Sequence, residues 1–128
     1  ETADTWTYAT DTWRQANANA ANKVEYVVGL LEDAVEIAVA ASLSGSTLSS
    51  VGVGIDSTTV NSAQLHSGVQ PPGSTVLEVT ARYVGFPGLG YHAINWLERV
   101  FGGATSTWRG DNTIPDNIQN GLIGIMLA

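Results

Sequence analysis

Asp111, Asn112, Asp116 and Asn117 gather four oxygen-bearing side chains in one short stretch. That is the donor type calcium needs, since a hard cation takes six to eight oxygens. The spacing departs from the EF-hand pattern, and Asp and Asn in a turn bond to their own backbone, so turn chemistry competes with metal binding here. Glu32 and Asp33 are adjacent carboxylates, but neighbours on extended backbone point apart and do not flank one glycosidic bond. His66 and His92 are the two imidazoles, and no Gly-x-Ser-x-Gly elbow accompanies them. His66 has no acidic or histidine partner at metal spacing and reads as an exposed loop residue. The glycines of Gly85-Phe86-Pro87-Gly88-Leu89-Gly90 lack the spacing and the Lys-Ser/Thr pair of a phosphate loop, and Pro87 removes an amide donor. Arg109-Gly110-Asp111 spells a tripeptide that some integrin ligands display, although a strand end followed by a Gly-Asp turn accounts for the same letters. The expectation is a non-enzymatic protein without metal or cofactor.

One constellation suits sugar. If residues 91–101 form a strand, His92 and Trp96 share a face with Ile94 between them. An aromatic face stacks on sugar C–H groups while Arg82, Asn95 or Arg99 hydrogen-bonds hydroxyls. Packing in a core or between subunits is the competing reading of the same residues.

The elements that must position these groups follow a period of two. Val24, Tyr26, Val28 and Leu30 alternate with Lys23, Glu25, Val27 and Gly29, and after Leu31-Glu32-Asp33 the alternation resumes from Val35 to Leu43. The pair predicts an antiparallel hairpin. A helix is the rival, since Leu31, Ala34, Val35, Ala38 and Val39 also satisfy helical spacing. Val51, Val53 and Ile55 alternate with Gly52, Gly54 and Asp56, and glycines on the outer face admit another backbone or subunit. Residues 57–75 read as a loop closed by Gln70-Pro71-Pro72-Gly73, and Leu77, Val79, Ala81 and Tyr83 form the apolar face of a further strand. Residues 91–101 satisfy both strand and helix spacing, with Tyr, His, Ile, Asn and Trp favouring strand. Thr105, Thr107 and Trp108 predict a short strand, and Gly121 to Ala128 an uncharged one with Ile123, Ile125 and Leu127 on one side. Short strands separated by turn residues predict an all-β antiparallel β-sandwich or barrel. The apolar final strand, normally frayed at a terminus, is expected to lie buried in a sheet or against another subunit. Residues 1–22, carrying Trp6, Tyr8 and Trp13, read as an N-terminal arm or stalk junction, and residues 23–128 as the sandwich head.

The totals narrow the function classes. At 128 residues the chain suits one domain, and 44% apolar residues supply a core, while 13% charged residues is about half the usual share. Formal charge is −7, with Lys23 the only lysine, so no basic stripe exists and nucleic acid is not an expected partner. Apolar runs fall short of the roughly 20 residues that a helical span needs, so no membrane insertion is expected. Cysteine is absent, which removes disulfide and thiolate chemistry.

The run Thr80-Ala81-Arg82-Tyr83-Val84-Gly85-Phe86-Pro87-Gly88-Leu89-Gly90-Tyr91-His92, continuing through Trp96-Leu97-Glu98, Thr107-Trp108-Arg109-Gly110-Asp111-Asn112 and the closing apolar strand, resembles C-terminal regions of bacteriophage tail-fibre or capsid-fibre proteins. Trp13-Arg14-Gln15 ahead of Asn22, and the region around Glu32-Asp33-Ala34-Val35, resemble them too. What the resemblance implies is a jelly-roll head of the tumour necrosis factor type, trimeric, carried at a fibre tip on the virion surface. Such a head meets a host-surface glycan or protein. The oligomer interface expected on this reading includes Leu122, Ile123, Ile125 and Leu127. Two alternatives stand beside it: an extracellular filament or capsid subunit assembling through its N-terminal arm, and a carbohydrate-binding module.

Overall fold

A computed structural model describes residues 3–111 and 118–127. Its strands are β1 (Thr5–Tyr8), β2 (Arg14–Gln15), β3 (Lys23–Val28), β4 (Ala34–Gly45), β5 (Ser49–Ile55), β6 (Leu65–His66), β7 (Gly68–Val69), β8 (Leu77–Gly85), β9 (Gly90–Val100), β10 (Ser106–Arg109) and β11 (Gly121–Leu127), with one 3-10 turn at Ala16–Ala18. All pairings are antiparallel, and they build two sheets. The first runs β1-β10-β4-β8-β6 with β11 also on β4; the second runs β2-β9-β5-β7 with β3 also on β9. The protein is an all-β antiparallel sandwich.

The alternation read from the sequence decides which side chains the sandwich encloses. Along β4, Val35, Ile37, Val39, Ala41 and Leu43 point inward and are buried, while Ala34, Glu36, Ala38 and Ala40 face out. Along β9, His92, Ile94, Trp96, Glu98 and Val100 point inward, which settles the segment as strand through Val100. Trp96 and Trp108, with Ile37, Leu43, Ile94, Val51, Val53 and Val79, fill the space between sheets. Burying an aliphatic side chain of this kind stabilises by roughly 1.5–3 kcal/mol, so this set dominates the fold.

Three expectations need correction. The segments 23–30 and 34–43 are strands, but they do not form a hairpin: β3 pairs with β9 and β4 with β8, in opposite sheets. Alternation fixes a strand's faces and leaves its partner open. The five residues between them arch across the sandwich end, where the Leu30 amide donates to the Asp33 carboxylate and the Asp33 amide to the Leu30 carbonyl.

Residues 3–22 are not a separable arm. Trp6 is buried, β1 pairs with β10, and β2 pairs with β9, so this stretch contributes to both sheets. Trp6 on β1 packs against Trp96, while β2 takes the flank of β9 beyond β3.

The terminal strand is held by pairing over its full length with Ala34 to Ala40 of β4, but its side chains are not buried in the single chain. Ile123, Ile125, Met126 and Leu127 are each 45–67% exposed. With β8 on the opposite flank of β4, β11 ends its sheet among the described residues, and Ile123, Ile125 and Leu127 point away from the other sheet.

Gly52 and Gly54 do admit another backbone, and it comes from the same chain. A Cβ on Gly54 would lie 2.0 Å from the Ser57 carbonyl oxygen, and one on Gly52 would lie 2.6 Å from Asn61 Oδ1. The segment after β5 therefore folds back over its own strand, anchored where Val53 and Ala63 amides donate to Asn61 Oδ1. Gly54→Ala is expected to cost about 2 kcal/mol or more through this overlap, whereas Gly29→Ala, with open space around its Cβ position, is expected to be neutral. Urea unfolding of the two variants checks the pair.

Candidate functional site

The four residues of the sequence-read sugar site are dispersed by the fold. Trp96 is 1% exposed, its indole meeting that of Trp6 edge-on at 5.7 Å and 76°. His92 is buried beside Asp56. Asn95 is on the opposite side of β9 and also buried, donating to the Ser57 carbonyl at 3.1 Å and accepting from Gln15 at 2.9 Å. Arg82 belongs to the other sheet and pairs with Glu36 at 2.5 Å on its outer face. The reason is tertiary: β8 and β9 lie in different sheets, and the outer face of β9 at Asn95 is covered by Gln15 and by the segment after β5, facts alternation within one strand cannot supply.

A different cluster, two aromatic rings and a guanidinium, does assemble at the surface. Trp13 and His66 rings meet edge-on at 5.8 Å, and the Arg99 guanidinium lies 5.8 Å from the Trp13 ring while bonding Asp11 at 2.6 Å. These residues come from three distant parts of the chain, and the covering segment over Gly52 brings Trp13 and His66 together. His66 has neighbours after all, since Asn61 Nδ2 sits 3.5 Å from its Nδ1.

His92 braces one end of the sandwich. Its Nδ1 is 2.7 Å from Asp56 Oδ2 and its Nε2 is 3.1 Å from the Gly88 carbonyl oxygen, which ties the turn between β8 and β9 to the end of β5. Asp56 adopts a left-handed conformation (φ 52°), which Asp tolerates, and its other oxygen accepts from the Ala93 amide at 2.8 Å. Burial raises the Asp56 pKa, but the Ala93 and His92 bonds outweigh it and hold the carboxyl below its ordinary range. Tyr26 beside this pair is pushed up to about 12, by burial first and by the nearby Tyr83 and Asp56 next.

Two surfaces remain apolar. The first is the outer face of the β4 sheet, where Ala38, Ala40 and Thr80 floor a groove of about 840 Å³ between Ile123 on one wall and Leu65 and Arg82 on the other. Small alanines beside a row of large residues on β11 make a ridge and a trough. Leu122 turns the other way, onto the core, while Ile123, Ile125 and Leu127 form the ridge. Three of the four residues read as an oligomer interface therefore lie on one exposed row.

The second is the sandwich end. The register places Val28 opposite Gly90 and Val35 opposite Gly85, so the arches of residues 29–33 and 86–89 cross from sheet to sheet side by side. Leu30, Leu31, Phe86 and Leu89 project from them, each more than half exposed. Among the described residues no group of His, Asp and Glu side chains has metal-holding geometry. Of the oxygen-rich loop, Asn112, Asp116 and Asn117 lie outside the described residues. Arg109 is inside β10 and the Gly110 amide donates to Asp4 at 2.9 Å, which builds two-thirds of the Arg-Gly-Asp tripeptide into the sheet region.

Among the described residues the one ionisable side chain at 0% exposure joins the N-terminal segment to the core. Glu98, 0% exposed on β9, accepts from Trp6 Nε1 at 2.7 Å, Arg14 Nε at 2.8 Å and the Asn17 amide at 3.1 Å. Arg14 also stacks on Tyr8, its guanidinium carbon 3.8 Å from the ring centre. Burial pushes the Glu98 pKa above its ordinary 4.5 in spite of the Trp6, Arg14 and Asn17 donors that favour the anion.

No protein-family model, curated protein or solved structure matches this chain. The functional reading rests on the surfaces just described.

The Glu98 site gives a prediction with a definite sign. The folded protein holds this proton more readily than the unfolded chain, so the group's contribution to stability is full below 4.5 and is lost as pH rises through its raised folded value. Glu98→Gln keeps an acceptor for the indole and removes that pH dependence at a cost of about 1 kcal/mol or less. Glu98→Leu strands the Trp6 and Asn17 donors and costs about 3 kcal/mol. Urea melts at neutral and mildly acidic pH measure both.

Proposed function

We propose that this chain is a virion-surface head or decoration module of the fibre type. On this reading it is non-enzymatic, assembles as a homo-oligomer of three copies with a jelly-roll plan, and meets the host surface with one end of the sandwich. The observation that carries the reading is the double arch. Leu30 is 56% exposed, Leu31 66%, Phe86 65% and Leu89 58%, and Val27 and Tyr91 extend the patch along a cross-strand pair. Contiguous apolar surface of this kind on a soluble scaffold marks an interaction site. The arches are braced by Asp33 and His92, which lowers the ordering cost that a mobile loop would meet on binding. Self-association draws support from the β11 ridge and the alanine trough beside it.

The carbohydrate-binding reading keeps one observation of its own, the Trp13, His66 and Arg99 cluster. The filament reading asks the N-terminal segment to leave its own sandwich, which would strand Glu98 without its donors.

Adsorption of the labelled protein to a panel of bacterial strains, with native mass measured in parallel, tests the proposal. Binding by the wild type is expected to fall at least tenfold in a Phe86→Ser/Leu89→Ser variant of unchanged circular dichroism, and to survive Trp13→Ala. Loss with Trp13→Ala alone transfers the contact to the sugar-type cluster, and a monomer that adsorbs to no strain overturns the reading.

A further inference from the structure

We propose that the free edge of β11 pairs antiparallel with β11 of a second copy, about a two-fold axis through Gly124, so that the β4 sheets of two copies join into one. This deepens the self-association proposed above and rests on that part of it; it adds a two-fold contact to whatever three-fold packing the head adopts.

The edge is open. β4 carries β8 along one flank and, along the other, β11 over Ala34 to Ala40 followed by β10 over Ser42 to Gly45. Among the described residues no strand pairs with the other side of β11. Its main chain therefore presents a row of unpaired donors and acceptors seven residues long. Sheet edges in monomeric proteins are blunted by lysine, proline, a bulge or a covering loop. Gly121-Leu122-Ile123-Gly124-Ile125-Met126-Leu127 contains neither charge nor proline, and its register with β4 advances one for one without a bulge.

The sequence of the strand is its own complement. Read outward from Gly124, Ile123 mirrors Ile125 and Leu122 mirrors Met126. An antiparallel pair centred on Gly124 sets Ile123 of one copy opposite Ile125 of the other twice over, on the exposed face. Cross-strand pairs of β-branched residues stabilise a sheet in this way. A two-fold contact demands such self-complementarity.

Charge directs the approach to the same place. β3 ends the other sheet on this side of the sandwich, and a Cβ on Gly124 would lie 3.1 Å from Val24, so the two edges are adjacent. Together β11 and β3 carry one lysine and one glutamate, Lys23 and Glu25, which pair with each other. On the outer face beside Ile125, Glu36 is paired with Arg82. Among the described residues the charges on and beside these two strands cancel, on a chain of net charge −7, so two copies meet here without the repulsion that their acidic remainder imposes. A second copy fits this requirement, whereas a basic partner has nothing here to recognise.

The register provides the test. Ile123 and Ile125 are 67% and 53% exposed, so polar substitutions there leave the fold intact, as circular dichroism will verify. In the double variant Ile123→Lys/Ile125→Lys, the proposed axis sets lysine against lysine. In Ile123→Lys/Ile125→Glu it sets lysine against glutamate at both positions. Native mass spectrometry and sedimentation of the full chain are expected to show an even copy number for wild type, half that number for the Lys/Lys variant, and the wild-type number regained by the Lys/Glu variant at low salt and lost again at high salt. Equal dissociation of both variants overturns the pairing register. A wild-type trimer that neither double variant alters overturns edge pairing altogether while leaving the self-associating head intact, and a wild-type monomer at every concentration removes both.

Discussion

A single carboxylate inside the sandwich governs how the chain begins. Glu98 lies on β9, the strand that pairs with β2, β3 and β5, and it is fully buried. An anion there is tolerated because three donors reach it, and all three come from the N-terminal segment: the Trp6 indole, the Arg14 guanidinium and the Asn17 amide. Removing water from a carboxylate costs several kcal/mol, and the donors return most of it only when each is in place. The local backbone is bent to serve this end, with Asn17 and Ala18 both at positive φ. Left-handed alanine costs about 1 kcal/mol, which is small against the cost of a stranded charge. The N-terminal segment is thereby fixed to both sheets at once, Trp6 from the β10 side and Arg14 from the β9 side.

Closure at the opposite end uses a second acid in a different manner. Asp56 holds His92 and the Ala93 amide, and His92 in turn reaches Gly88, so the end of β5, the start of β9 and one arch share a hydrogen-bonded knot. Asp33 performs the equivalent service for the neighbouring arch through its bond to the Leu30 amide. The two ends thus differ in what they enclose. At the Glu98 side the hydrophobic residues are taken inside, with Trp6 edge-on to Trp96. At the arch side the hydrogen bonds are satisfied locally, which leaves Leu30, Leu31, Phe86 and Leu89 free to face solvent.

Much of the architecture was legible as period two. β4, β5, β8 and β9 match the alternations read at 35–43, 51–55, 76–83 and 91–101, because side-chain direction in a strand depends on local geometry alone. Partner choice was not legible. Residues 23–43 carry the pattern of a hairpin, yet the turn between them spans the sheets, and no local rule separates a tight return from an arch of five residues. The same limit scattered His92, Trp96, Arg82 and Asn95: period two separates the faces of the two strands, but burial of both faces of β9 depends on the distant segments, at Gln15 and Ser57, that cover its outer side. Trp13 and His66 were read as separate features because their contact depends on the segment that folds over Gly52. Period two puts Glu98 on the face of His92, Ile94 and Trp96, and only the return of the N-terminal segment, with Trp6, Arg14 and Asn17, makes it a buried anchor. The terminal strand was recognised by its apolar run, and pairing with β4 follows; exposure of its side chains depends on which strand ends the sheet.

The two strands that end their sheets on the β11 side are treated differently by the sequence. β3 alternates Lys23 and Glu25 with Val24 and Tyr26, so charge guards its outward face, and Tyr91 adds a hydroxyl to the Glu25 carboxylate. β11 has no such guard over seven residues. Aggregation pressure acts on both edges alike, since each offers unpaired main-chain groups, and a chain with only 13% charged residues has few guards to distribute. Glycine at 124 is required by the core side of β11, where a Cβ would crowd Ile37 as well as Val24 at 3.1 Å. Among the described residues nothing makes such a demand on the outward residues to either side of it, which are 67% and 53% exposed. Lysine or threonine at 123 and 125 would pair with β4 equally well and would shield the edge. Isoleucine at both positions is what the proposed pairing with a second copy calls for, and the described residues beneath the strand do not ask for it.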